Sequence, residues 1–172
     1  MDRVLIIGGS GQVGRHVAED LVTHTRAQVT ITGRDAHKGT QIAAELGPRV
    51  QFMALDLSAE ESLRVAIASS TLTIHCAGPF AYRDVTPLKM CIDERVNYLD
   101  VSDDRAFTQK ALAYHSAAEA AGVTAIVNTG IFPGVSNSMV RQAVEHLDSP
   151  DRIDLSYEVS GTGGAGVKVK LN

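Results

Sequence analysis

Short apolar runs and amphipathic stretches alternate along most of the chain. The first run, Val4 to Ile7, is wholly apolar and stops at a glycine-rich turn. The stretch after it, Val13 to Val22, has apolar residues at helical spacing. Its stripe consists of Val13, Val17 and Leu21, with Ala18 beside it. An apolar run followed by a periodic stretch predicts a buried strand, a tight turn and a helix packed on the strand.

The same alternation repeats five times. The predicted strands cover 28–32, 50–55, 71–76, 97–101 and 123–128, and the predicted helices cover 36–46, 59–68, 87–94, 106–121 and 136–147. Asp35, Ser58 and Thr86 are the predicted N-caps. Six strands alternating with helices predict an α/β fold, a doubly wound parallel sheet of the Rossmann type in the order 3-2-1-4-5-6. We assign residues 1–148 to this domain.

The tail of the chain has a different pattern. Ile153, Leu155, Tyr157 and Val159 alternate with polar residues, which indicates a half-buried antiparallel strand. A glycine-rich turn over 161–166 leads to a second alternating run, so we predict a β-hairpin over 153–171. A lone hairpin is marginally stable and leaves an open edge. Residues 149–172 are therefore predicted to begin an incomplete second domain, and pairing of the hairpin between two chains would give a homodimer.

The turn after the first strand predicts nucleotide binding. Gly9, Gly11 and Gly14 have the G-x-G-x-x-G spacing of dinucleotide-binding units. We expect Gly9 to form the turn, Gly11 to admit a pyrophosphate, and Gly14 to let the helix pack closely on the strand. The N-terminus of that helix would direct unpaired N–H groups at the phosphates. A purely structural turn is the alternative.

The end of the second strand bears on the choice of cofactor. NAD-preferring units place an acidic side chain there to bind the adenosine ribose. This chain has Thr32 and Gly33, followed by Arg34. Because a guanidinium pairs well with a phosphate and stacks on adenine, we predict NADP(H) in preference to NAD(H). Alternatively, Arg34 is solvated and Asp35 only caps the next helix.

Two further strand ends would line the same groove. Asp56 follows the third strand, where a carboxylate is able to reach the adenine amino group, although a solvated Asp is nearly as common. The Gly78-Pro79 loop follows the fourth strand, on the far side of the topological switch point, and would line the ribose and nicotinamide. His75 lies inside that apolar strand, so we interpret it as a core histidine rather than a catalyst.

Composition excludes several other functions. Of the 172 residues, 44% are hydrophobic and 21% are charged, and the net charge of −4 gives no basis for nucleic-acid binding. No apolar run approaches a membrane span, and the first strand leaves no room for a signal peptide. Cys76 and Cys91 form no disulfide framework, so a cytoplasmic protein is expected. No two of the six histidines lie three or four residues apart, and we predict no metal site.

Five segments in this order resemble the saccharopine dehydrogenase family. They are 8–14, Thr32-Gly33-Arg34, Cys76-Ala77-Gly78-Pro79-Phe80, Tyr98-Leu99-Asp100-Val101-Ser102, and 130–137. The resemblance covers residues 1 to about 147, and 161–166 is similar to the start of that family's second domain. It implies an oxidoreductase that acts on a C=N bond beside an amino-acid carbon with NAD(P)(H).

The resemblance also implies roles for particular residues. The pyrophosphate would be held by Gly9, Ser10, Gly11, Gln12 and Val13. Arg34 would bind the adenosine phosphate, and Ala77, Gly78, Pro79 and Phe80 would approach the nicotinamide ribose. Asp100 and Asn128, at strand ends on one edge, are candidates to face the nicotinamide cleft, with capping of a loop or helix as the alternative. Family members are about twice as long, because a second domain supplies much of the substrate pocket.

Two functional hypotheses follow. The first is an NADP(H)-dependent oxidoreductase that transfers hydride to an imine or carbonyl carbon of an amino-acid-like substrate, with weak or absent turnover in this short form. The second is a non-catalytic NADP(H)-binding module or redox sensor that dimerises through the hairpin. A short-chain dehydrogenase is excluded, because no tyrosine is followed four positions later by lysine.

Overall fold

A computed structural model of the chain describes residues 2–130 and 134–156. Its strands are β1 Arg3–Ile7, β2 Gln28–Gly33, β3 Val50–Ala54, β4 Leu72–His75, β5 Asn97–Asp100 and β6 Ala125–Ile126. Its helices are α1 Gln12–His24, α2 Ala36–Leu46, α3 Glu60–Ala68, α4 Thr86–Asp93, α5 Arg105–Leu112, α6 His115–Ala121 and α7 Val135–Val144. A short 3-10 turn, Phe80–Tyr82, precedes α4.

The six strands form one parallel sheet in the order β3-β2-β1-β4-β5-β6. The predicted fold class and strand order are confirmed. The order reverses between β1 and β4, where Ile7 lies opposite His75, and β5 follows with Asp100 opposite His75. The carboxyl ends of β1, β4 and β5 therefore meet at one edge of the sheet, where open α/β sheets bind their ligands.

The two faces of the sheet have separate cores. Leu5 and Ile7 point to the face covered by α3, α4, α5 and α6, whereas Val4 and Ile6 point to the face covered by α1 and α2. All four side chains are nearly inaccessible to solvent. Burial on both faces explains why β1 is apolar at all four positions from Val4 to Ile7 instead of alternating.

The predicted helix 106–121 is wrong as a single element, because the structure divides it into α5 and α6. At the break, the Tyr114 N–H donates to the Ala111 carbonyl, a tighter turn than the α-helical one. Phe107 and Ala111 of α5 and Ala118 of α6 are all buried in the same core. The alanine-rich sequence contains no glycine or proline at the break, so it gave no signal of this division.

Helix N-termini confirm one predicted cap and correct two. Asp35 caps α2 by accepting a hydrogen bond from the Lys38 N–H at 3.0 Å. Ser58 was predicted to cap the third helix, but the N-cap of α3 is Ala59 and Ser58 bonds to Asp56 instead. The N-cap of α4 is Val85 rather than Thr86, whose N–H donates to the Asp84 carboxylate at 3.0 Å.

The predicted hairpin over 153–171 lies for the most part outside the described residues, and residues 151–156 have no regular secondary structure. The edge strand β6 is only two residues long and is exposed on both faces. In the part of the chain that the structure describes, no helix combines the length and hydrophobicity that crossing a membrane requires.

Candidate nucleotide-binding site

The turn between β1 and α1 lies at the point where the strand order reverses. Gly8 has a φ of 77°, a conformation that L side chains rarely adopt. A Cβ atom at Gly8 would lie 2.9 Å from Ala77, so the turn after β1 touches the loop after β4. The glycine that allows the turn is therefore Gly8, one residue before the predicted Gly9. Gly9 follows with its N–H donated to the Ile6 carbonyl at 3.1 Å.

Helix α1 starts directly against this turn. A Cβ atom at Gly14 would lie 2.5 Å from the Gly8 carbonyl oxygen, which confirms that this position needs glycine for close packing. The Ser10 and Gly11 N–H groups donate to the Thr32 and Gly8 carbonyls. The first helical hydrogen bond runs from the Arg15 N–H to the Gly11 carbonyl at 2.9 Å.

The N–H groups of Gln12 and Val13 belong to the first turn of α1, where no preceding helical carbonyl is in place to accept them. The predicted apolar stripe is wrong at its first residue, because Val13 is 51% exposed. Gly14 and Ala18 form the buried face of the helix instead. Their small size brings α1 close to the sheet, and Val13 is left exposed in the first turn, beside the two unpaired N–H groups.

At the end of β2, the polar side chains other than Arg34 already form hydrogen bonds within the protein. The Thr32 hydroxyl is buried, donates to the Ile6 carbonyl at 3.3 Å and accepts from the Gly8 N–H at 3.2 Å. The Asp35 carboxylate is used as the cap of α2. The exposed side chain of Arg34 is thus the first charged group after β2 that is not committed to the fold.

Asp56 follows β3 on the same edge. Its side chain is exposed, and its Oδ1 atom accepts hydrogen bonds from the Ser58 N–H at 2.9 Å and the Ser58 hydroxyl at 2.8 Å. These two bonds lower the pKa of Asp56, and the charges of Arg34 and Arg83 lower it further. The carboxylate therefore lies near two arginines, one after β2 and the other after β4.

The loop after β4 contains the predicted Ala77 to Phe80 segment. Ala77 and Pro79 are half-buried, Gly78 is exposed, and the Gly78–Pro79 peptide bond is cis. Phe80 differs from the other three, because its ring points into the core. Only its backbone is available at this edge of the sheet.

Arg83 was not identified from the sequence as a site residue. Its Nε atom donates to the Ala77 carbonyl at 3.0 Å, and its Nη2 atom lies 3.5 Å from the Gly78 carbonyl. The guanidinium thus holds the loop after β4 and adds positive charge near Asp56. An arginine three residues beyond a Gly-Pro loop has no sequence signature, so this contact was not predictable.

His75 is a core histidine, as predicted. It is fully buried, and burial lowers its pKa to about 4, although the negative charge of Asp100 opposes the shift. Its Nδ1 atom accepts the Ala77 N–H at 3.3 Å, so the neutral ring carries its proton on Nε2.

Asp100 and Asn128 are brought together at the ends of β5 and β6. The Asp100 side chain is fully buried, and its Oδ1 atom accepts the Asn128 N–H at 3.0 Å. Asn128 is half-buried and has a φ of 61°. Ser102, which was part of a resembling segment but was given no role, donates its N–H and hydroxyl to the same Oδ1 atom at 3.0 and 2.6 Å.

A separate apolar groove of about 330 Å³ lies between α4, α5, α6 and β6. Leu88, Leu112 and Ala125 are among the residues that line it. It contains none of the residues predicted to bind the cofactor. Its lining also includes Tyr114, His115 and Glu119.

This edge has the features of a dinucleotide-binding Rossmann fold: a glycine-rich turn, a helix N-terminus and a strand-order switch beside it. A family model described as the saccharopine dehydrogenase NADP binding domain matches residues 4–126. The chain therefore belongs to the saccharopine dehydrogenase family, whose oxidoreductases bind NAD(P), as the resemblance implied.

Particular relatives agree with this assignment. A probable mitochondrial saccharopine dehydrogenase-like oxidoreductase of Arabidopsis thaliana is 28% identical over 133 residues, which cover 69% of this chain and 29% of that protein. Carboxyaminopropylagmatine dehydrogenase of Synechocystis is 29% identical over 184 residues, which cover all of this chain and 45% of that protein. The chain thus spans less than half the length of both.

A solved structure shares the fold. The apo saccharopine dehydrogenase (L-Glu forming) of Saccharomyces cerevisiae superposes with a TM-score of 0.72 at 20% sequence identity. The superposition covers 86% of this chain and 31% of the yeast chain.

Proposed function

We propose that this chain is the NADP(H)-binding part of an oxidoreductase that acts on a small, amino-acid-like substrate. The observation that carries the proposal is the exposed start of α1, where the Gln12 and Val13 N–H groups lie at the switch point of the sheet. Helix N-termini at this position suit a pyrophosphate. The bound cofactor would supply hydride transfer from the nicotinamide to an imine or carbonyl carbon.

The chain's own residues would orient the cofactor along the edge. We assign the pyrophosphate to the turn and helix start, namely Gly9, Ser10, Gly11, Gln12 and Val13. Asp56 would lie at the adenine end, and Ala77, Gly78 and Pro79 would lie against the nicotinamide ribose. Phe80 contributes through its backbone and its packing.

We propose a preference for NADP(H) over NAD(H), based on Arg34. The other polar side chains at the end of β2, Thr32 and Asp35, are bonded within the protein and are not available to a ribose. The flexible Arg34 guanidinium lies near the Asp56 carboxylate in the structure and is able to turn to a 2′-phosphate. A phosphate would be the stronger partner, because it presents more acceptor atoms and more charge.

Calorimetric titration tests this proposal. Arg34→Ala is expected to weaken NADPH binding by about ten- to a hundredfold, or roughly 1.4–2.8 kcal/mol, and to leave NADH binding within about twofold. Lys38→Ala, which removes an exposed cation one turn into α2, is the matched control and should change neither. Equal losses for NADPH and NADH in Arg34→Ala would contradict the preference.

The substrate class rests on the family. The names of two relatives describe dehydrogenases of saccharopine and of carboxyaminopropylagmatine, both of which are compounds with amino groups.

We propose that residues 149–172 begin a second domain, that the 172 residues alone turn over substrate weakly, and that the protein is located in the cytoplasm. Turnover assays with amino acids and keto acids distinguish the oxidoreductase from the alternative, a non-catalytic module that dimerises through 153–171. For the alternative, the mass measured in solution should be that of a dimer.

A further inference from the structure

Asp100 joins the loops that follow β5 and β6. Its Oδ1 atom accepts three hydrogen bonds, from the Ser102 N–H, the Ser102 hydroxyl and the Asn128 N–H. Its backbone carbonyl accepts two more, from the Thr129 N–H at 3.0 Å and the Thr129 hydroxyl at 2.7 Å. One residue at the end of β5 therefore fixes the backbone at the ends of two neighbouring strands.

Asn128 extends this connection. Its Nδ2 atom donates to the Ser102 carbonyl at 3.1 Å, and its Oδ1 atom accepts from the Thr108 hydroxyl at 2.9 Å. Its φ of 61° is a conformation in which asparagine is enriched among non-glycine residues. The loop after β6 is thus held by α5 as well as by β5.

His75 holds the loop on the other side of Asp100. The two residues are register partners in β4 and β5, so their side chains lie on the same face of the sheet. The His75 ring accepts the Ala77 N–H and packs edge-on against Phe80 at 5.0 Å between ring centroids. His75 therefore fixes the segment predicted to approach the nicotinamide ribose.

Three buried polar atoms in this group have no hydrogen-bond partner among the described residues: His75 Nε2, the Tyr98 hydroxyl oxygen and Asp100 Oδ2. The first two carry protons and the third is an acceptor, so their hydrogen-bonding capacities match. Buried polar groups are normally paired, so three unpaired atoms in one group of side chains are unusual.

We propose that Asp100 is a positioning residue for the nicotinamide half of the bound cofactor. His75 has the same role for the loop after β4, which it contacts through Ala77 and Phe80. This inference rests on the proposed function. Asp100 is inaccessible and would not touch the cofactor. It acts by keeping the loops after β5 and β6 in one arrangement beside the loop that His75 holds. All three loops lie on the far side of the switch point from the adenosine site.

The test separates the two halves of the cofactor. NADPH and 2′-phospho-ADP-ribose share the adenosine phosphate and the pyrophosphate, but only NADPH has the nicotinamide. Asp100→Ala removes three hydrogen bonds and is expected to weaken NADPH binding by about tenfold, while 2′-phospho-ADP-ribose stays within about twofold. Asp100→Asn keeps an acceptor oxygen at the same place and should restore NADPH binding to within about threefold of the unmodified chain.

Controls account for loss of stability. Ser70→Ala removes a buried hydroxyl at the opposite end of β4, which donates to the Ile67 carbonyl, and should leave the ratio of the two affinities unchanged. If Asp100→Ala does not fold, Thr108→Val replaces it, because it removes, at nearly constant volume, the hydroxyl that contacts Asn128 Oδ1 at 2.9 Å and the Asp104 carbonyl at 2.8 Å. Thr108→Val should weaken NADPH alone, by about threefold.

The outcomes separate the two proposals. If the unmodified chain binds neither ligand, the proposed function is contradicted, and this inference falls with it. If the chain binds both and the Asp100 variants weaken both equally, or weaken neither, the positioning role alone is contradicted. Loss restricted to NADPH, with recovery in Asp100→Asn, supports it.

Discussion

The rings of His75 and Phe80 meet edge to face, with centroids 5.0 Å apart and an interplanar angle of 61°. Phe80 makes the same kind of contact with Phe107 of α5, at 5.0 Å and 70°. The three rings connect the end of β4 to the helix layer beneath the candidate site. Phe80 thus supports the loop after β4 with a buried side chain, whereas the resemblance implied only that Phe80 approaches the nicotinamide ribose.

Phe80→Ala should therefore act through stability. Truncating a buried phenylalanine typically costs about 3–5 kcal/mol. We expect a loss of unfolding free energy in this range by denaturant titration, compared with a minor loss for Val65→Ala on the exposed face of α3. Equal, small effects of the two substitutions would contradict the role of Phe80 in the core.

The burial of His75 predicts a pH dependence. The pKa of His75 is about 4 in the folded chain and 6.5 in the reference state, so the unfolded chain takes up a proton first as the pH falls. The resulting stability is present above pH 6.5 and is lost progressively down to about pH 4, by about 3 kcal/mol in total. Unfolding free energies measured across this range provide the test.

The matched variant for this measurement is His75→Gln, which has no titrating group. Its unfolding free energy should fall less steeply than that of the unmodified chain between pH 6.5 and 4. Carboxyl groups titrate in both proteins and cancel in the comparison. Parallel curves would show that His75 is not the group responsible.

The close approach of α1 to the turn predicts that Gly14 is sensitive to substitution. A methyl group there would lie 2.5 Å from the Gly8 carbonyl oxygen and 2.6 Å from the Gly9 Cα atom, both backbone atoms that have little freedom to move. Gly14→Ala should cost about 1–3 kcal/mol of unfolding free energy, and displacement of α1 should also weaken nucleotide binding. His16→Ala, on the exposed side of the same helix, should do neither.

Both cysteines should be unreactive in the folded chain. Burial raises the pKa of Cys76 and of Cys91 to about 12, so almost no thiolate is present at neutral pH. Mass spectrometry after treatment with iodoacetamide should show no labelling of the native chain and labelling of both residues in denaturant. Rapid labelling of the native chain at either position would contradict this environment.

The fold was predictable because its determinants are local. Val4 to Ile7 is apolar at each position, a property of strands buried on both faces, and the glycine turn follows at once. The strand order then follows from the general topology of such units. The division between α5 and α6 was not predictable, because alanine is compatible with either a continuous helix or a break and only the packing of Phe107 and Ala118 decides between them.

The site was predictable at the level of strand ends but not of side-chain direction. The proximity of Asp100 and Asn128 was anticipated because β5 and β6 end on the same edge. That Val13 faces outward and Phe80 inward depends on how closely α1 and α5 approach the sheet. Arg83 reaches Ala77 through the fold of the loop, and neither residue type nor spacing indicated that contact.

Backbone amide shifts of the nitrogen-15-labelled chain, recorded by NMR during titration with NADPH, test the central claim most directly. The largest changes are expected at Ser10 to Gly14, with further changes at Arg34, Ala77, Gly78 and Phe80. Residues of the apolar groove, such as Leu112 and Ala125, should not respond. Changes concentrated in that groove, or no changes at saturating NADPH, would contradict it.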